Sequence, residues 1–341
     1  MLKIFRPCDF HVHLREGQVL KHVLKENNKN FQKILVMPNL AKPITNEKIL
    51  SKYRALVLKN NQKTEILFTI YLNQDCKISD LKNMIKNNLF FAAKLYPLHA
   101  TTNSSSGVKD IKKMSKYFEF LEKNKIPLCL HGEHIHKDDD PYERERRFLE
   151  YELSWLVKNF KSLKITLEHI TTKDSVDFVK SNNNIAASIT THHLLENTNT
   201  FLGDYLKPEL FCKPIIKSKK HQKSLLSAAL SGNSKFFFGS DSAPHLKNYK
   251  FTESCCAGVY STKYSVSNIL ELFYSSKKTN NLNKFLTING CKHYNLKFDN
   301  KLISYVRQKD FKFQKYSKFN NDSLINYCLL YTSDAADDIG R

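Results

Sequence analysis

The chain of 341 residues has little of several things. No apolar run is long enough to span a bilayer, which excludes an integral membrane protein of the helical type. A mean hydropathy of −0.47 agrees. The opening MLKIFRPCDF lacks the apolar core of an export signal. No C-x-x-C spacing occurs among the eight cysteines, of which only Cys255 and Cys256 are close in sequence. That argues against a cysteine-built zinc site or a thioredoxin-type centre, and for reduced thiols in a cytoplasmic protein. No G-x-G-x-x-G follows the first apolar segment, which weakens a dinucleotide fold. Acidic residues are also scarce: 33 Asp+Glu against 54 Lys+Arg leave a formal net charge of +21. The lysines are spread among asparagines, as in NNKN, LKNMIKNN and KKTNNLNK, and KSKKHQK (217–223) has none of the interleaved aromatics of a stacking platform. Such a spread marks solvated helix faces. The expectation is therefore no nucleic-acid partner and no membrane, with a small anionic substrate accounting for part of the charge.

What is present is a 41% hydrophobic content with 23 Phe and 16 Tyr, which excludes a disordered chain. Eight short apolar segments recur: CDFHVHL (8–14), KILVM (33–37), EILFTIY (65–71), FFAAKLY (90–96), IPLCLH (126–131), LKITLEH (163–169), IAASIT (185–190) and KFFFGSD (235–241). Stretches with helical spacing lie between most of them, such as GQVLKHVLKENNKN and NEKILSKYRALVLKN. Apolar strands alternating with amphipathic helices predict a parallel sheet covered by helices. Eight units point to an α/β protein, a closed (β/α)8 barrel of the TIM type, with an open doubly wound sheet as the alternative. No repeat or linker divides residues 1–300, so one domain is expected over 1–327, with a helical C-terminal cap including VSNILELFYSS and LNKFLTINGC. The segment 328–341, CLLYTSDAADDIGR, turns abruptly acidic and Ala/Asp-rich. It reads as a non-native or disordered tail, or else as a short acidic tail of the protein itself.

In such a barrel, functional groups stand where strands run into the following loops. Here the segments carry His11 and His13, then Asn39, Lys94, His131, His169 and Asp241. Each has an ordinary structural alternative. A single histidine can be a hydrogen-bonded core residue, Asp241 a turn or helix cap, and Lys94 a snorkelling surface cation. Together, four imidazoles and a carboxylate at one rim make a site for a borderline metal. Lys94 is the one charge in FFAAKLYP, and burial favours its neutral amine. A neutral amine beside two cations can take up carbon dioxide to form a carbamate, an anionic ligand able to bridge them. If Lys94 stays an ammonium, the site holds at most one metal.

These residues, together with VMPNLAKPIT, AAKLYPLHATTNSSSGV, LCLHGE, LEHITTKD, THHL, FCKPIIK, GSDSAPH and CAG, give the chain a resemblance to the amidohydrolase superfamily. Within it, over about residues 8–300, it resembles the shorter bacterial type of dihydroorotase. The resemblance implies two Zn2+ bridged by an N6-carboxylated Lys94 and a hydroxide. His11, His13, Lys94 and Asp241 would hold one zinc; Lys94, His131 and His169 would hold the other. It implies that Asp241 is the catalytic base and acid, and that Arg15, Asn39 and His245 grip the substrate carboxylate. By the same resemblance His13 and His131 would lie against the substrate as well. Lys213 and Ala257 would contact the ring through backbone atoms, and Thr101 and Thr102 would belong to a closing lid. The substrate pair would be N-carbamoyl-L-aspartate and dihydroorotate, and the assembly a homodimer. Three features depart from the family pattern: Lys213 before a proline where an apolar residue is usual, the doubled His192–His193, and His99 where a small residue is expected. Hydantoinase-like, allantoinase-like and phosphotriesterase-like activities use similar metals, but Arg15 with Asn39 favours a substrate bearing a free carboxylate. A metal-free scaffold protein is the non-enzymatic alternative.

Overall fold

Segments rich in Ile, Val, Leu and Phe become strands because both their faces can be covered, one by the barrel interior and one by helices. The computed structural model describes residues 1–61, 63–308, 312–319 and 321–327. After a short strand β1 (Leu2–Phe5) come β2 (Cys8–Val12), β3 (Lys33–Val36), β4 (Glu65–Tyr71), β5 (Ala92–Leu95), β6 (Leu128–His131), β7 (Ile165–Glu168), β8 (Ile185–Ile189) and β9 (Phe236–Phe238). Strands β2 to β9 form one sheet in chain order, each parallel to the next. The sheet closes just beyond β9, where Asp241 N donates to His11 O at 2.9 Å and His13 N to Ser242 O at 3.1 Å. This is the (β/α)8 barrel that the eight apolar segments predict.

The helices follow from the same patterning. In Gly17–Asn30, the residues Leu20, Val23, Leu24 and Asn27 repeat at helical spacing and are buried on one stripe. Glu47–Asn60 is started by Asn46, whose side chain accepts from Ile49 N. Thr172 does the same for Lys173–Ser181 by accepting from Ser175 N. Among the described residues no helix is long and apolar enough to cross a membrane, and the seven described cysteines are all free.

Inside the barrel, Cys8, Phe10, Leu35, Met37, Ala92, Cys129, Ala186 and Phe237 fill the end where the strands begin. Cys291, in the helical stretch ending at His293, and Tyr294 just after it join the same cluster and plug that end. The interior is therefore apolar below, leaving polar side chains to the opposite mouth. The expected cap is helical over Ser265–Ser275 and 284–293. Beyond it the chain makes strands that its sequence does not announce. β10 (Leu302–Tyr305) pairs antiparallel with β1, and β11 (Tyr316–Phe319) forms a hairpin with β12 (Asp322–Ile325). These strands are four residues each, too short for a periodic signal. The tail 328–341 lies outside the described residues.

Candidate active site

The mouth of the barrel is built by strand ends that depart from strict alternation. In β2, Asp9 pairs with Ile34 and Val12 with Val36, so one extra residue is inserted between them. This bulge changes which residues face inward. Cys8 and Phe10 belong to the inner cluster, whereas Val12 packs in the outer core and His11 and His13 turn into the mouth. Asp9 pins the bulge, accepting from His11 N at 3.1 Å and from Ser240 N at 2.8 Å. At the ends of two other strands the backbone is left-handed, with φ 41° at His169 and 45° at Asp241.

These turns bring the predicted side chains together. His11 and His13 rings are 5.3 Å apart, His11 and His169 4.9 Å, and His131 and His169 4.8 Å. Asp241 Oδ1 accepts from His13 Nε2 at 3.0 Å and lies 3.2 Å from His11 Nε2. Lys94, Asp241 and all four histidines are buried, Lys94 at 0% exposure. A narrow cleft opens above them. Its walls include His11, His13, Arg15, Asn39, Thr101, Thr102, His131, His169, Lys213, Asp241 and Ala257. Lys94 lies beneath this lining and His245 behind it.

The electrostatics suit cation binding. Burial pushes His13 down to about 4, and lowers His131 and His169 as well, so these imidazoles are neutral and their lone pairs free for a metal. Burial works against the charged forms of His11 and Asp241 too. Glu168 and Asp241 nevertheless hold His11 above its ordinary value, and His11, His13 and His169 hold Asp241 well below the carboxylate range. Lys94 is lowered by burial despite the nearby Glu168. A metal fits these residues on their own chemistry. His11 Nε2, His13 Nδ1, Lys94 Nζ and His169 Nδ1 are buried without a hydrogen-bond partner among the described residues, a costly state that cations would relieve. His11, His13 and Asp241 present ligand atoms within 4.8 Å of one another.

Around this centre, Arg15 also takes a left-handed backbone, φ 61°. Its Nε donates to Pro244 O at 3.2 Å, and Tyr53 OH donates to its carbonyl at 3.0 Å. His245 Nε2 is 3.1 Å from Arg15 Nη2 and 3.0 Å from Ala257 O. One nitrogen cannot accept from the first and donate to the second at once, so the imidazole tautomer chooses between them. The loop carrying Thr101 and Thr102 lies across the cleft. Thr102 Oγ1 donates to Ala257 O at 3.2 Å, Asn39 Nδ2 to Thr102 O at 3.1 Å, and Asn103 Nδ2 to Asn39 O at 3.1 Å. His99 opens this loop at φ 59°, a conformation that favours glycine.

Three residues at the mouth escape the sequence reading. Glu168 Oε2 accepts from His11 Nδ1 at 2.8 Å and also from Ser188 Oγ. Glu133 Oε2 accepts from His131 Nε2 at 2.6 Å. Tyr96 lines the cleft, stacked on Tyr71 at 5.1 Å, with Lys94 Nζ 5.0 Å from its ring. Tyr96 was within reach of sequence, since it is two residues past Lys94 and shares its face. Glu168 was not, because alternation allows Glu168 or His169 to face inward, and the left-handed turn lets both do so. The doubled histidines do not line the cleft. His193 is bonded at both ring nitrogens, to Thr190 Oγ1 at 2.9 Å and Pro214 O at 3.1 Å. His192 is buried beside it, and with Cys212 the pair forms a second group able to hold a metal.

No protein-family model matches the chain. The dihydroorotase of Aliivibrio fischeri is 41% identical over 310 residues, 90% of this chain and 91% of that protein. The crystal structure of dihydroorotase from Campylobacter jejuni is similar with a TM-score of 0.87 and 34% identity, covering 95% of this chain and 94% of that one. The Saccharomyces cerevisiae dihydroorotase in complex with 5-fluoroorotic acid also scores 0.87, at 30% identity, covering 96% of each chain. Fold and site together define a barrel enzyme of the amidohydrolase type. Within that class the chain belongs to the dihydroorotase family, hydrolases of cyclic amide bonds.

Proposed function

We propose that the enzyme catalyses the reversible cyclisation of N-carbamoyl-L-aspartate to (S)-dihydroorotate and water, the third step of de novo pyrimidine synthesis. In this reading two zinc ions are held by His11, His13, His131, His169, Asp241 and a carboxylated Lys94. The observation that carries it is Lys94: a lysine at 0% exposure, with no hydrogen-bond partner for Nζ among the described residues, at the mouth shared by the four histidines. An ammonium there is costly, whereas the neutral amine that burial favours is the form able to add carbon dioxide. Bound zinc supplies Lewis-acid polarisation of the amide carbonyl and water with a pKa of about 7.

The protein's own groups do the rest. Asp241 takes the proton of the attacking water as the carbonyl–nitrogen bond of the ring breaks, and returns it to the departing ring nitrogen. Synthesis runs the same transfers backwards. Arg15, with Asn39 and His245, holds the substrate carboxylate, a task suited to a charge-assisted guanidinium fork. Lys213 and Ala257 present backbone groups to the ring, and Thr101 and Thr102 close the loop over it, excluding water. A cytoplasmic homodimer follows from the family resemblance.

The test is zinc content per chain measured alongside turnover of dihydroorotate and of 5-substituted hydantoins. Two zinc per chain with dihydroorotate preferred is the expected result; preference for hydantoins overturns the substrate. Asp241→Ala is expected to abolish turnover, since general acid–base catalysis alone is worth about 10²–10⁴-fold, while ligand binding partly survives. Near-normal turnover in that variant contradicts the role of Asp241.

A further inference from the structure

Lys250 ends the four-residue helix Lys247–Lys250 and is 3% exposed. Among the described residues no carboxylate makes an ion pair with it. Its ammonium donates instead to three backbone carbonyls: Phe211 O at 3.0 Å, Cys256 O at 2.9 Å and Gly258 O at 3.0 Å. An ammonium has three N–H groups, so all are satisfied, the condition under which a buried charge is tolerated.

Those carbonyls belong to the two segments that wall the cleft. Phe211 begins the stretch whose Lys213 lines it, and Cys256 and Gly258 flank Ala257, which lines it opposite the loop of Thr102. Gly258 N also donates to Phe211 O at 2.9 Å, so an amide and the ammonium share one acceptor and join the segments. Ala257 O, between the two carbonyls tied to Lys250, takes the Thr102 hydroxyl from the loop above. An apolar side chain of similar length could fill the same volume. Only a cation draws three carbonyl dipoles onto one point, where they otherwise repel one another.

We propose that Lys250 is a positioning residue for the cyclic-amide substrate, its ammonium holding the backbone walls at Lys213 and Ala257 in one register so that both meet the ring. This rests on the proposed ring contacts of Lys213 and Ala257. Lys250 itself does not line the cleft. Because the walls bind the ring in ground state and transition state alike, losing their register raises KM and spares kcat.

The experiment compares zinc-loaded wild type, Lys250→Met, Lys250→Gln and Lys250→Arg. It measures KM and kcat for dihydroorotate, the Kd of 5-fluoroorotic acid, and circular dichroism. In Lys250→Met, KM and Kd are expected to rise about tenfold or more, the scale of hydrogen bonds to a charged group. The expected kcat stays within about threefold, and Lys250→Arg, which keeps the charge, recovers most of the loss. A folded Lys250→Met with wild-type KM and Kd overturns the proposal, as does a loss of kcat with KM unchanged. If Lys250→Met does not fold, Lys250→Gln carries the same comparison. Failure of all three variants to fold makes Lys250 a folding residue and overturns its positioning role. A wild type that neither turns over dihydroorotate nor binds 5-fluoroorotic acid overturns the functional reading beneath it. An unchanged Lys250→Met beside an active wild type overturns this proposal alone.

Discussion

Arg15, His169 and Asp241 share an unusual property: each is an L-residue held at positive φ, 61°, 41° and 45°. Such angles cost on the order of 1–3 kcal/mol each and persist where the surroundings over-determine them. Here the return is aim, since each bend turns a polar side chain into a mouth that regular strands would not reach. For Arg15 the expected role is to bind the substrate carboxylate throughout the reaction. Arg15→Met is therefore expected to raise KM about 10–100-fold, the equivalent of a charged hydrogen bond, with kcat little changed. Steady-state kinetics decides, and a pure kcat loss would make Arg15 a catalytic residue instead. Glu168 acts one step back from the centre, fixing His11 through Nδ1 so that Nε2 faces Asp241. Carboxylates in that position typically govern metal affinity by about 10–100-fold. Glu168→Gln is expected to weaken zinc binding by that factor in a chelator competition, and an unchanged affinity would refute the orienting role.

At the level of elements, the barrel has two ends made differently. The end where strands begin is closed by the helical stretch 284–293, and Gly290 lies against the face of Phe10. A Cβ at Gly290 would fall on that ring, so glycine is what lets the plug seat. Gly290→Ala is expected to cost about 1–3 kcal/mol by overpacking while leaving KM near wild type, because the plug is at the far end from the cleft. Denaturant unfolding together with kinetics checks both halves. The other end is shaped by the bulge in β2 and by the loop after β5, which ties to Asn39 by two hydrogen bonds and to Ala257 by one. In the proposed reading the loop opens for substrate by releasing those three cross-cleft bonds.

For the molecule as a whole, the net charge of +21 is spread over solvated lysines, while the site has a small cationic set of its own in Arg15, Lys213 and the buried Lys250. Metal ties this site to global stability. Ions that bind only the folded chain stabilise it by mass action, about 4 kcal/mol at a thousandfold excess over Kd. Stripping bound metal with a chelator is expected to abolish turnover and lower the melting temperature, and adding zinc is expected to restore both. Turnover that survives complete metal removal would contradict the metal assignment.

The eight apolar segments and the helical stretches between them carried the barrel in sequence, because burial on two faces demands continuous apolar strands wherever they occur. The convergence of His11, His13, Lys94, His131, His169 and Asp241 was legible too, since a parallel barrel puts every strand end at the same mouth. Tertiary structure alone decided what alternation cannot encode. The extra residue in β2 turns His11 and His13 into the mouth, and the left-handed turn at His169 admits both Glu168 and His169. Lys250, one of many lysines in a polar stretch, becomes a buried clamp only because the carbonyl of the distant Phe211 meets those of the nearby Cys256 and Gly258 at its ammonium. Local sequence sets which face a residue prefers, but the partner that satisfies a buried polar atom comes from elsewhere in the chain, and only the folded backbone brings it there.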